Sequence, residues 1–450
     1  MTGVDRERLA AGLDEELARF ARENPRSREL YGRARSSLVG GVPMPWMMRW
    51  AGGFPVFLEN AAGARVTDVD GHTYVDLCLG DTGAMTGHGP PTVVEAVAQQ
   101  AARGITTMLP TEDAGWVGEE MARRFGLPRW LLTLTATDAN RTALRICREV
   151  TGRRKVLVYS YCYHGTVDEA FAVAGAEGTR SREGNVGPPV DPAETTVAVE
   201  FNDIAMLEEA LAGGDVACVL AEPAMTNMGI VLPEPGYHED LRRLTRDAGT
   251  LLIIDETHTF SAGPGGCTEA WGLDPDLVTI GKAIGSGVPA GALGLSDDVG
   301  GRMLQSAHAD YEDTGGVGGT LAGNALSVAA VRATLESVLT EDAFERMVPL
   351  AGRFREGVEA VIAKHGLPWS IVQLGCRAEY RFDPAPARNG TEAHASSDPE
   401  LERYLHLHAL NRGVLLTPFH NMALMSPDTT AEDVDRHTEV FGEGVAAIAG

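Results

Sequence analysis

The sequence predicts an α/β protein with a large, doubly wound, mostly parallel sheet domain and a smaller α+β domain. Three observations predict it. From about residue 130, short apolar runs alternate with stretches at helical spacing, the pattern of parallel strands joined by helices. Runs such as Val216–Ala221 and Leu251–Ile254 are wholly apolar, as strands covered on both faces must be. After about residue 340 the rhythm changes to long helices and a few strands.

The elements follow in order. Leu9, Leu13, Leu17 and Phe20 recur at helical spacing, so the chain opens on an amphipathic helix. The pattern changes near Gly40-Gly41. Residues 55–58, 64–67 and 73–79 read as short strands, with Asp70-Gly71 as a hairpin turn. Residues 91–104 and 112–125 read as helices. The strand candidates of the large domain are 131–135, 156–160, 196–201, 216–221, 251–255, 277–280 and 290–295. Helices are expected at 138–150, 203–212 and 236–248. The last strands have little helix between them, which predicts an antiparallel part of the sheet. Helices follow near 323–339 and 341–364, then strands within 370–382, a loop over 384–398 and helices at 399–411 and 430–448. Residues 1–80 and 339–450 are thereby assigned to the small domain, and 81–338 to the large one.

Composition narrows the function. The 450 residues carry 38 Lys plus Arg against 63 Asp plus Glu, a net charge of −25. Nucleic acids and anionic membrane surfaces attract cationic proteins, so neither is an expected partner. Hydrophobic residues at 44% and charged residues at 22% argue for a folded chain rather than a disordered one. The six cysteines are widely spaced with no C-x-x-C, which predicts reduced, mostly buried thiols of a cytoplasmic protein. The first 20 residues are charged throughout, unlike a secretory signal, and no apolar run reaches the ~18 residues of a membrane-spanning helix.

The chemistry is concentrated between residues 251 and 287. The run Leu251-Leu-Ile-Ile-Asp255 ends in an acid, at the carboxyl end of a buried strand where open α/β sheets bind ligands. Lys282 follows the next strand, flanked by Gly281, Gly285 and Gly287. Only three of the 38 basic residues are lysines: Lys155, Lys282 and Lys364. The first and last read as exposed; Lys282 alone sits among apolar residues and glycines. An amine that must be neutral part of the time cannot be an arginine. A Schiff-base lysine has that requirement. Pyridoxal phosphate joins such a lysine to an acid that holds its ring nitrogen. Thr135-Ala136-Thr137 end a strand and open a helix, a suitable place for the phosphate, though simple helix capping by Thr137 explains them too. Tyr163 of Tyr163-His164-Gly165 follows another strand and is either a ring-stacking residue or a core tyrosine.

The chain resembles the class III aminotransferases of fold type I, and most of all the branch of glutamate semialdehyde aminomutases and β-amino-acid transaminases. The matching text includes Gly40-Gly41-Val42, Asp68-Val-Asp70-Gly71, Gly87-His88, Thr137-Asp-Ala-Asn140, Tyr163-His164-Gly165, Glu222-Pro223, Asp255-Glu256, Gly281-Lys282 and Gly319-Thr320 to Asn324. The resemblance implies that Lys282 carries the cofactor and shuttles a proton, and that Asp255 keeps the ring nitrogen protonated. It implies that Tyr163 and Thr257 lie on the two ring faces, with His164, Glu222 and His258 nearby. Thr135, Ala136 and Thr137 would hold the phosphate. Thr320 would reach the phosphate of a neighbouring subunit, which makes the expected active unit a homodimer.

The sequence also departs from that pattern. The phosphate loop reads Leu134-Thr135-Ala136-Thr137-Asp138 where relatives read Asn-Ser-Gly-Thr-Glu, and Thr257 replaces a usual valine. Aminomutases and β-amino-acid enzymes carry an arginine for the substrate carboxylate shortly after Gly-Gly-Val. Here that place reads Pro43-Met44-Pro45-Trp46-Met47-Met48, with Arg49 about two residues beyond it. Trp46, Met47 and Met85 suggest a bulky apolar substrate pocket, and Asp81 falls where the family lines the substrate side.

Other motifs fail. Gly281-Lys282 is followed by Ala283, so it is not a P-loop, and Gly285-Ser286-Gly287 does not extend to a dinucleotide fingerprint. No H-E-x-x-H occurs, and His406 and His408 are two apart on a helix, so no metal is expected. The expected activity is ping-pong amino transfer from an amine or amino acid to a keto acid or aldehyde. The alternative is an aminomutase that moves the group within one molecule. A dehydrogenase-like nucleotide binder and a non-catalytic relative are the rivals from other classes; neither needs a covalent aldehyde at Lys282.

Overall fold

The structure is a computed structural model that describes residues 2–306, 309–312 and 314–450. It divides into two compact units: Pro91–Glu341 with Ala387–Ala395, and Met1–Pro90 with Asp342–Pro386 and Ser396–Gly450. Residues 81–90 therefore belong with the N-terminal unit rather than the large domain, and residues 387–395 pack with the sheet domain. The reason is local. The backbone of His88 pairs with that of Gly63, and His88 Nε2 lies 2.7 Å from Asp76, which holds this stretch on the N-terminal strands.

The large unit is built on seven strands. Their order across the sheet is Arg129–Thr133, Gly291–Leu295, Leu277–Ile280, Leu251–Asp255, Val216–Ala221, Lys155–Tyr159 and Thr196–Val199. Gly291–Leu295 runs antiparallel to both neighbours, as the short connection before it predicts; the other pairs are parallel. Leu251–Asp255 and Val216–Ala221 are buried at every position, which is why alternation is absent from their sequence. Register aligns the strand ends: Asp255 pairs with Thr279, and Ile254 with Ala221. The segments 135–137, 160–165, 222–226, 255–258 and 281–285 thus leave the sheet at the carboxyl ends of its parallel strands. A hairpin of Ala172–Gly175 and Gly178–Ser181 and a helix Asp297–Gln305 add to the expected elements. The expected loop 384–398 contains a short helix, Gly390–Ala395, whose Ala393 is buried.

The other unit opens on the helix Arg6–Glu23, capped by Asp5, with Leu9, Leu13 and Phe20 buried. A second helix, Pro25–Ala34, was not evident from periodicity. Asn24 gives it no side-chain cap; the hairpin turn does so instead, with Asp70 accepting from the Arg26 and Ser27 N–H groups at 2.7 and 2.9 Å. The strands Leu58–Ala62, Arg65–Asp68, Thr73–Asp76 and Val414–Leu415 form one sheet, so the first strand begins where 55–58 was expected to end. Ser370–Leu374, Arg377–Arg381 and Met422–Leu424 form another. The helices Glu341–His365, Pro399–Leu410 and Ala431–Ile448 complete it.

Glu16 is the buried polar anchor of this unit. It is 6% exposed and accepts from His408 Nδ1 at 2.9 Å, Arg412 Nη1 at 2.7 Å and Asn411 Nδ2 at 2.6 Å. Burial pushes its pKa up, but these three donors outweigh that and pull it from 4.5 to about 2. A carboxyl held low stabilises the fold above its unfolded pKa and loses that contribution as the pH falls through the folded value. Glu16→Ala should therefore cost about 3 kcal/mol of unfolding free energy at neutral pH, because it leaves Arg412, Asn411 and His408 without their shared acceptor. In urea melts, the gap between wild type and variant should shrink as the pH falls from 4.5 towards 2. A gap that stays constant over that range would show that the carboxylate is not what Glu16 contributes.

Candidate active site

Asp255 ends its strand 3% exposed and is the centre of the site. One carboxylate oxygen accepts from the Thr257 N–H at 3.0 Å and the Thr257 hydroxyl at 2.5 Å. The other accepts from Asn140 Nδ2 at 2.8 Å and lies 2.9 Å from His164 Nδ1. Thr279, on the adjacent strand, donates to Asn140 Oδ1 at 2.6 Å and so fixes which way that amide points. Burial works against the Asp255 charge, but His164, by hydrogen bond and by charge, and then Thr257 and Asn140 hold its pKa below the ordinary carboxylate range. Burial likewise disfavours imidazolium at His164; the Cys162 sulfur and the Asp255 carboxylate reverse that and raise its pKa. The pair is a buried anion beside a histidine that favours its charged form.

Lys282 lies just past the next strand. Gly281 is extended, and a Cβ on it would come 2.9 Å from Ala136 N, so only glycine lets this strand end meet the first turn of the helix Ala136–Thr151. Lys282 itself has φ +50, a left-handed conformation unusual for a side-chain-bearing residue. Its Nζ is 2.7 Å from His258 Nε2. An ammonium at Lys282 has donors only, so in that form the contact requires the acceptor lone pair on His258 Nε2. Among the other lysines, Lys364 is exposed, and Lys155 is half-buried and paired with Asp215 at 2.8 Å.

The phosphate end is the N-terminus of Ala136–Thr151. Thr135 is its N-cap and takes up the Asp138 N–H at 3.2 Å. Helix geometry leaves the N–H groups of Ala136 and Thr137 without intrahelical acceptors, the arrangement that receives an anion. Thr137 Oγ1 accepts from the Thr166 N–H at 3.2 Å, tying the Tyr163-His164-Gly165 turn to the same helix. Gly165 has φ +75, and a Cβ there would fall 2.0 Å from Thr137 Oγ1. Gly165→Ala should weaken cofactor binding about tenfold, since strain of 1–3 kcal/mol lands on the phosphate turn. Cofactor titration into stripped protein checks this, with Gly32→Ala, which meets nothing within 4 Å, as the control. Equal affinities would mean that the turn shifts without disturbing the anion site.

The remaining expected residues fall as follows. Tyr163 and His258 are half-buried, Thr257 is buried, and Thr320 is exposed. Glu222 is buried and accepts from the Thr226 hydroxyl. Glu256 is buried and points away from Asp255's partners: it accepts from Thr268 and Cys267, close under Gly266, as a structural acid. Trp46, Met47, Asp81 and Met85 belong to the N-terminal unit. Trp46 and Met47 are exposed, and Trp46 stands edge-on to Phe419 at 5.4 Å. Arg49 sits over the same Phe419 ring at 5.1 Å. Met85 is fully buried, with Cys376 Sγ 3.8 Å from its sulfur. Asp81 lies in a turn, Leu79 to Thr82, in which every residue has positive φ. The Asp76 carboxylate pins the start of that turn through the Cys78 and Leu79 N–H groups at 2.9 and 2.8 Å. All six cysteines are buried and free, and no group of metal ligands occurs among the described residues.

Sequence reasoning did not single out Asn140 or Thr279. Asn140 is 115 positions from Asp255 in the chain, and only the register of two strands and one helix brings them together. Its sequence signal was its place in the Thr137-Asp-Ala-Asn140 match, near the start of the helix that Thr135 caps.

These residues fit pyridoxal phosphate. A buried, ionised acid at a strand end, a lysine beyond the adjacent strand and an open helix N-terminus meet at one sheet edge. His164 Nε2 is buried without a hydrogen-bond partner there, a polar atom that a bound group at this edge can satisfy. The fold and this constellation define a fold type I pyridoxal-phosphate enzyme. The chain belongs to the class III aminotransferase family, whose profile matches residues 46–442. It is similar to the glutamate-1-semialdehyde aminomutase of Pseudomonas aeruginosa PAO1, in two solved structures, one of a lysine-to-alanine variant in complex with PMP: 48% identity, TM-score 0.96, covering 99% of this chain and 99–100% of that one. The glutamate-1-semialdehyde 2,1-aminomutase of Chloroflexus aggregans is 33% identical over 440 residues, 94% of this chain and 98% of its own length. A β-phenylalanine aminotransferase from Variovorax paradoxus shares the fold at 26% identity and TM-score 0.85, covering 97% of each chain. The protein is a pyridoxal-phosphate-dependent enzyme of amino transfer, and no helix among its described residues is long and apolar enough to cross a membrane.

Proposed function

We propose that the chain is an aminomutase, which moves an amino group between neighbouring carbons of one amino-aldehyde. This reverses the order of preference drawn from the sequence, where the intermolecular transaminase came first. The observation that carries it is the likeness over nearly the full length to aminomutases, at 48% identity in one solved structure and 33–35% in several curated relatives. The cofactor supplies an electron sink that stabilises negative charge at the carbon bearing the amine. The protein does the rest. Asp255, held ionised by His164, Asn140 and Thr257, orients the ring nitrogen and keeps its proton. The helix N-terminus at Ala136 and Thr137 holds the phosphate. Lys282 Nζ would accept the proton lost by the carbon that gives up the amine and supply one to the carbon that gains it, so that no proton is consumed overall. His258, 2.7 Å from Nζ, orients the amine. Thr320, exposed on the single chain, is proposed to reach the phosphate of a second copy in a homodimer.

One observation favours the intermolecular reading: the apolar Pro43–Met48 stretch stands where the resemblance leads one to expect a carboxylate-binding arginine. The test is to give the protein the 15N-labelled 1-semialdehyde of glutamate with no keto acid. An aminomutase yields an isomeric amino ketone of unchanged mass with the label retained. A transaminase yields no turnover until a keto acid is added, and then passes the label to it.

A further inference from the structure

We infer that the Thr257 hydroxyl is a competing donor to Asp255 that sets how strongly this acid holds the cofactor ring nitrogen. Thr257 is thus a positioning residue acting through Asp255, beyond any contact its side chain makes with a ring face. The inference rests on the cofactor assignment, and not on the choice between mutase and transaminase.

The Asp255 carboxylate has about four lone-pair sites. Four donors stand within hydrogen-bond distance: the Thr257 N–H at 3.0 Å, the Thr257 hydroxyl at 2.5 Å, Asn140 Nδ2 at 2.8 Å and His164 Nδ1 at 2.9 Å. A protonated ring nitrogen is a fifth. Three of the four resident donors cannot leave. The Thr257 N–H is backbone. Asn140 is clamped from its other end by Thr279 at 2.6 Å and also donates to the His164 carbonyl at 3.2 Å. His164 is fully buried against the acid. The Thr257 hydroxyl is different, because rotation about one bond withdraws it. It is therefore the donor that yields when the ring arrives, or that shares the oxygen and weakens its pull.

Valine, the residue the resemblance leads one to expect at 257, has nearly the same shape and no donor. Removing the hydroxyl leaves the carboxylate one donor short in the empty site and more basic, so it grips a ring N–H more firmly. Thr257→Val should bind pyridoxamine phosphate roughly two- to tenfold more tightly, the net worth of one exchanged hydrogen bond. Thr257→Ser keeps the hydroxyl and should match wild type.

The experiment titrates ring-15N pyridoxamine phosphate into cofactor-stripped wild type, Thr257→Val and Thr257→Ser, reading affinity by absorbance and the ring-nitrogen shift by NMR. The expected result is tighter binding and a ring-nitrogen shift further towards the protonated value in the valine variant alone. A packing role would move affinity without moving the nitrogen shift, and a serine variant that follows valine would show that loss of the hydroxyl is not the cause; either overturns the proposal. Wild type that takes up no pyridoxamine phosphate overturns the cofactor site itself, which is a separate failure.

Discussion

Lys282→Ala should abolish covalent cofactor attachment and lower turnover by about 10³-fold, the scale of losing a positioned acid–base group together with its covalent role. Borohydride reduction followed by intact-mass measurement checks the first part. Wild type should gain one reduced pyridoxyl group, located at Lys282, and the variant none. The protein should still fold, because Lys282 is half-buried, just past the end of the strand Leu277–Ile280 and outside the buried hydrophobic core. Lys282→Arg should not recover activity, because a guanidinium stays protonated throughout the accessible pH range. The scarcity of lysine makes the result easy to read. The only other sites for an adduct are Lys155, engaged with Asp215, and Lys364. A label on either, or turnover within tenfold of wild type, would remove Lys282 from the chemistry.

The second large effect falls on Asp255. Asp255→Asn deletes the one buried anion that His164 faces and replaces an oxygen acceptor with an NH2 aimed at existing donors. We expect kcat to fall by about 10²–10³-fold, the range for losing one preorganised electrostatic partner. Thermal unfolding should show a further loss of about 3 kcal/mol, the cost of stranding a buried charged partner. The pH behaviour carries a sign. Asp255 is held below the ordinary carboxylate range, so its contribution persists at neutral pH and disappears only as acid protonates it. His164 is raised by the Cys162 sulfur and then by this contact, so its pKa should fall in the asparagine variant. Ring-proton NMR of His164 across pH checks this directly. A histidine that titrates identically in both proteins would show that the acid does not control it.

The two predictions separate what each residue is for. Lys282 acts by reacting and moving a proton, so its loss leaves stability largely intact. Asp255 acts by holding charge in a dry place, so its loss should be felt in both rate and stability. The Asn140–Thr279 bond lies between these cases: it touches nothing that reacts, yet it fixes the donor that keeps Asp255 ionised.

Much of the sheet was legible because its strands announce themselves. Val216–Ala221, Leu251–Asp255 and Leu277–Ile280 lie where the apolar runs placed them. Burial on both faces favours a near-continuous apolar run, and the turn residues that bound these runs mark them as strands. The short edge pieces were less legible. The hairpin at 172–181 has strands of only four residues, Ala-Val-Ala-Gly and Gly-Thr-Arg-Ser, which carry little strand signal, and its pairing rather than its composition defines it. The helix Gly390–Ala395 lies in a stretch that composition marks as loop. It is fixed by tertiary contacts: Thr391 bonds to Glu200, Asn202 takes the Arg388 carbonyl, and Gly390 lies too close to the Ser160 carbonyl for any side chain.

The same division runs through the site. The amino-acid sequence alone determined the fold class, the lysine, the strand-end acid and the cofactor they imply, because a Schiff base needs an amine that can lose its proton and a ring nitrogen needs an anion. Those are demands on residue type and on local position, and both can be read along a chain. Only the tertiary structure decided which groups keep Asp255 charged, why Gly165 and Gly281 must lack side chains, and that a threonine hydroxyl occupies the acid's fourth lone pair. The contacts of Asn140 and His164 with Asp255, and of Gly281 with Ala136, depend on segments about 90 to 145 residues apart meeting within about 3 Å, the reach of a hydrogen bond, and no local pattern encodes that distance.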